Sequence, residues 1–113
     1  MSPRDESTTL GWKEYLGNEM VRAVLIRTPE RWHAPSWAHY ITAEGNDREV
    51  SIYFSTCVVR VAGFGLETLL RKVVTQRIAE LFVPTRADRL RLSDKMPGIS
   101  SLAVEAVGGK GRM

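Results

Sequence analysis

The clearest alternation of apolar and polar positions runs from Arg48 to Val83. Val50, Ile52 and Phe54 alternate with Ser51 and Ser55, the period-2 signature of a half-buried strand. The phase then flips, because the next apolar set falls on Cys57, Val59 and Val61. A strand cannot change its buried face without a turn or bulge, so the break is placed at Ser55–Thr56. Gly63 and Gly65 close the second strand. Beyond them Leu66, Leu69, Leu70, Val73 and Val74 recur at helical spacing, and the stripe continues through Ile78, Leu81 and Phe82 to Pro84. This predicts one amphipathic helix over 66–82, with Leu70 at the centre of its core face. The competing reading ends the helix early, since Val73, Val74 and Thr75 are poor helix formers, and makes 78–83 a closing strand.

Upstream, Met20–Ile26 reads as a strand, since Val21–Ile26 is β-rich, and Pro29 stops it. Residues 10–16 read slightly better as a short helix stopped by Gly17 than as a strand of a Gly17-Asn18 hairpin. Pro29–Trp37 is expected to be loop, because two prolines six apart remove ladder donors. Ala38–Ala43 reads as a strand, joined to 48–54 through the turn Glu44-Gly-Asn-Asp47. After Pro84 the apolar pattern thins. The expected organisation is a disordered leader over 1–8, one domain over 9–92 and a flexible tail over 93–113, with residues 1–8 and roughly 96–113 dispensable for folding. The expected fold class is α+β: one small antiparallel sheet of four to five strands carrying one principal amphipathic helix.

Composition changes this picture little. A chain of 113 residues with 43% hydrophobic and 26% charged positions is one globular domain's worth. No apolar run approaches the roughly 20 residues of a membrane-spanning helix, and the first nine residues lack the apolar segment of a secretory signal. The net charge of +3 is unevenly placed. From Pro84 onward lie six of the 16 bases and three of the 13 acids, leaving ten of each before it. A neutral body carries no basic footprint for nucleic acid. Only Arg86, Arg89 and Arg91 form an arginine-rich run suited to phosphates or other anions, and Asp88 interrupts it.

Candidate chemistry is sparse. Cys57 is the single cysteine, so an internal disulfide is excluded, and a free thiol in a strand pattern suits a reducing cytoplasm. His33 and His39 are the only histidines. They lack the helical pairing or Cys-x-x-Cys partners of a metal site, so no metal and no cofactor are expected. A small enzyme would have to draw on His33, His39 and Cys57, which must then converge in one pocket. Val61-Ala-Gly-Phe-Gly-Leu-Glu-Thr68 has the Gly-x-Gly of a dinucleotide turn but Thr68 stands where the third glycine belongs, so that motif is rejected. Backbone N–H groups at 65–68 remain a weaker candidate for a small anion.

Trp32 and Trp37 stand in the loop. They either fold back as a lid over the sheet or form an aromatic patch for a partner. The outward residues of the two central strands include Tyr53, Val58 and Arg60, which are not strongly polar as a group. These features predict a small non-catalytic interaction or oligomerisation module. Trp32, Trp37, Tyr53 and Arg60 are its candidate surface, and a homodimer or another protein is its partner.

Overall fold

The computed structural model describes residues 11–15, 17, 20–87 and 97–107. These described residues are mainly strands, arranged as two four-stranded sheets with one short α-helix. The expected single sheet under a long helix is therefore replaced by two β layers.

The larger sheet contains β4 (Tyr40–Gly45), β5 (Glu49–Phe54), β6 (Cys57–Phe64) and β8 (Gly98–Ala106), in the order β4-β5-β6-β8, all antiparallel. Its centre follows the alternation: Val50, Ile52 and Phe54, then Cys57, Val59 and Val61, are buried, and the phase flip is the two-residue turn Ser55–Thr56. In the β4–β5 turn the Asn46 carboxamide oxygen accepts from Arg48 N (2.8 Å) and Glu49 N (3.1 Å). That is the local side-chain-to-backbone bonding that favours Asn in turns.

The smaller sheet contains β1 (Trp12–Glu14), β7 (Ile78–Phe82), β2 (Leu25–Arg27) and β3 (Trp32–His33), in the order β1-β7-β2-β3. The β2–β7 pair is parallel, contrary to an all-antiparallel expectation. Residues 12–14 form a strand rather than a helix because Trp12 pairs opposite Leu81 and is buried with it between the layers. The expected strand over 21–26 shortens to Leu25–Arg27, with an isolated bridge from Ala23 to Ser36. The loop 29–37 contributes the two-residue β3, and a 3-10 turn over Trp37–His39 delays β4 to Tyr40.

Helix α1 covers Leu66–Val73 only. Its carbonyls are capped by Val74 N on Leu70 O, Thr75 N on Lys72 O and Gln76 N on Val73 O. Gln76 then reverses the chain at φ 57°, in the left-handed region that usually takes glycine or asparagine. The continuous-helix reading fails here for a second reason. In β7, Leu81 pairs with Trp12 and Glu80 with Lys13, whereas Ile78 pairs with Glu14. Ala79 is an extra residue, so Ile78 and Leu81 both face the core at a spacing of three. The fully buried helix positions are Leu66, Leu69 and Val73, with Leu70 at their margin.

The second correction concerns the C-terminal segment. Residues 98–106, expected in the flexible tail, form β8, which pairs with β6 along its length. Ile99 is fully buried and Leu102 nearly so. Here too one residue is extra: Ala62 pairs with Ser101 and Gly63 with Ile99, leaving Ser100 bulged. A Cβ on Gly63 would lie 2.1 Å from Gly98 O, so the bulge needs glycine at that crossing.

One core joins the two sheets and α1. Trp37 is 5% exposed. Its indole N–H donates to Ile78 O (3.1 Å), and its ring packs 5.6 Å from that of Phe54, so it bridges the layers. Lys72 Nζ, 3.3 Å from Glu14 Oε1, ties α1 to β1. No helix among the described residues is long and apolar enough to cross a membrane.

Candidate functional site: the open edge of β8 and its groove

In the larger sheet the two outermost strands among the described residues are β4 and β8. Alternate residues of an outermost strand direct their N–H and C=O away from the sheet, which makes such an edge a template for another strand. β8 is nine residues long and Glu105 is its single charged residue. Glu105 Oε1 lies 3.1 Å from Arg60 Nε on β6, and this contact raises the Arg60 pKa above its ordinary value. The charge that would guard the edge is thus matched within the sheet. Leu102 and Val104 turn inward, while Ser101, Ala103 and Glu105 turn outward.

Beside β8 lies an open groove of about 670 Å³. Leu102, Ala103, Val104 and Ala106 form one wall, and the segment Thr28–Pro35 of the smaller sheet supplies the other. Thr28, Glu30, Arg31 and His33 are the polar residues of that second wall, and Thr56 and Cys57 also line the groove. His33 and Cys57 therefore do share a cavity, whereas His39 does not line it. Burial raises the Cys57 pKa, opposed in part by a hydrogen bond from Thr56. A raised pKa keeps sulfur as thiol, the unreactive form. Among the described residues no hydrogen bond joins Cys57 to His33, and no group of three His, Cys, Asp or Glu side chains is placed to hold a metal ion. The groove has shape and a polar wall but no activated nucleophile.

The remaining sequence candidates separate. Trp37 belongs to the core. Trp32 is 66% exposed and shares Arg27 with Phe82: the guanidinium carbon lies 5.9 Å from the indole centroid and 5.0 Å from the phenyl centroid. Arg27 Nε is also 2.5 Å from Glu80 Oε2, an ion pair that lacks the alignment of a hydrogen bond. The positive charge there is answered from within. Tyr53 and Arg60 lie on the outer face of the larger sheet, where Tyr53 Oη donates to Glu44 Oε2 (3.3 Å) and Arg60 Nη1 to Ser51 Oγ (3.2 Å). Cross-strand polar pairs of this kind suit a solvated face.

Arg86 is exposed, and Arg89 and Arg91 lie outside the described residues. At the start of α1, Leu66 N donates to Asp47 O (2.9 Å) and Glu67 N to Asp47 Oδ1 (3.4 Å), so the candidate anion donors are engaged by the protein's own aspartate. The sequence reading missed Ser101–Ala106. The usable signal was Leu102, Val104 and Ala106 in alternation, obscured upstream by the Ser100 bulge. No protein-family model, no curated protein and no solved structure matches this chain.

Proposed function

We propose that this chain is a small non-catalytic interaction module that recognises a partner by adding the partner's strand to the edge of β8. The observation that carries this reading is the character of β8: an outermost strand among the described residues, regular over Ser101–Ala106 and bearing one charge that is already paired. An edge of this kind is an aggregation liability in a protein that leaves it idle, and natural sequences guard such edges with lysine, proline, bulges or brevity. Strand addition draws affinity from main-chain hydrogen bonds and specificity from the alternate side chains. The groove beside β8 gives an incoming strand a second wall. The buried thiol of Cys57 fits work in a reducing cytoplasm, where no disulfide would form.

The test uses a synthetic peptide with the Gly98–Ala106 sequence, titrated into the isotopically labelled full chain and followed by amide shifts. Shifts concentrated in β8 and at His33 are expected. Shifts centred instead on Trp32 and Phe82, or none at millimolar peptide, would contradict the reading.

A further inference from the structure

The partner strand that best fits this edge is β8 itself: we infer that two copies of the chain pair antiparallel, β8 to β8, about a two-fold axis at Ala103, forming one eight-stranded sheet. This rests on the reading that β8's edge is the working surface.

Register carries the argument. In a two-fold antiparallel pair centred on a residue, each position faces the one equally far on the other side. Only a centre on a residue, not between two, keeps the apolar face of one sheet continuous with that of the other. A centre at Glu105 would set two carboxylates against each other, which is unfavourable. A centre at Leu102 would oppose inward Val104 to bulged Ser100 and leave its apolar side chain unmatched. A centre at Ala103 pairs Leu102 with Val104 twice on the inner face. On the outer face it sets Ser101 opposite Glu105, so that a hydroxyl donates to a carboxylate already held by Arg60. The residue on the axis is alanine, small enough for two copies to meet.

The groove agrees with this centre. Its β8 wall is Leu102, Ala103, Val104 and Ala106, the C-terminal part of the strand. An antiparallel partner therefore lays its own Ser100–Ala103 into it. By symmetry the two grooves fall on opposite sides of the axis, and each wall bearing Arg31 and His33 covers the partner strand's inner face without meeting its counterpart.

The experiment places a cysteine at Ala103 in the full chain, with Cys57→Ala removing the native thiol, and compares it with Ser101→Cys in the same background. Sedimentation reports mass and mild oxidation reports proximity. Cysteines at Ala103 would meet across the axis, within the 4.4–6.8 Å Cα separation a disulfide needs. Those at Ser101 would be offset by four residues, about 13 Å. A dimer in which Ala103→Cys cross-links nearly fully and Ser101→Cys does not is the expected result. A dimer that cross-links at Ser101, or at neither site, overturns the pairing and places association elsewhere. A monomer at every concentration that still binds the β8 peptide overturns self-pairing and leaves the strand-addition reading standing. A monomer that also ignores the peptide overturns both. Unchanged thermal transitions of the two variants confirm that folding is not what is being read.

Discussion

The two edges of the larger sheet, β4 and β8, solve the same problem in opposite ways. β4 is six residues long and has an extra residue at Ile41, where the register shifts between Tyr40 and Thr42. Ile41 is pushed out to 63% exposure, Glu44 adds a charge, and α1 packs beside the strand. A bulge twists an edge and interrupts the straight row of groups that a second strand would need. β8 also has a bulge, but it lies at Ser100, near the strand's start, and leaves Ser101–Ala106 regular. Among the described residues β4 thus carries a bulge, a charge and a neighbouring helix, whereas Ser101–Ala106 of β8 carries one charge that is paired within the sheet. The less protected of these two described edge strands is also the one beside the groove.

The largest effect that bears on this contrast is deletion. A chain stopped after Pro97 should lose its cooperative thermal transition, because β8 contributes Ile99 and Leu102 to the core as well as an edge. A stable, cooperatively melting truncation would mean that β8 is an appendage. Next comes a pair of substitutions that separates the inward side of β8 from the outward bulge of β4. Ile99→Ala should cost about 2–5 kcal/mol in denaturant unfolding, and Ile41→Ala should stay within about 0.5 kcal/mol of wild type. Similar costs for the two would erase the asymmetry.

A smaller and more specific effect comes from charge on the outward face. Ala103→Lys should weaken self-association by on the order of 1 kcal/mol, about fivefold in dissociation constant, because paired strands would set like charges opposite each other. Thr42→Lys on β4 should leave association unchanged. Equal effects would mean that the two edges are equivalent. The smallest expected change is at Arg60–Glu105. With both side chains about half exposed, Glu105→Gln should change fold stability only slightly, and that change should shrink further at high salt.

How much of this was legible in the sequence follows the bulges closely. The turn of the β5–β6 hairpin was readable, because the apolar set changes phase between Phe54 and Cys57, but the strand ends shift to Glu49 and Phe64, and Val58, expected outward, is buried. β7 was not readable, because the extra residue at Ala79 gives Ile78 and Leu81 the spacing of a helical stripe. The same disguise covers β8, where Ile99 and Leu102 are three apart around Ser100. The end of α1 was hidden because Gln76 takes a backbone conformation that usually announces itself with glycine. Trp32 and Trp37 stand in one proline-containing segment, and their different fates depend on long-range partners: Arg27 for Trp32, Ile78 and Phe54 for Trp37. Of the candidate surface, Tyr53 and Arg60 lie on the outer face of the sheet, and their hydrogen bonds to Glu44 and Ser51 are cross-strand contacts that only the register reveals. The β8 edge could not be read at all while 98–106 was taken as tail.

The most direct test of the central claim is sedimentation equilibrium of the unmodified chain across tens to hundreds of micromolar, alone and with the Gly98–Ala106 peptide. The account predicts a species of twice 12.7 kDa that shifts toward a single chain as the peptide occupies the β8 edge. A mass of 12.7 kDa throughout, with no peptide bound, would contradict it.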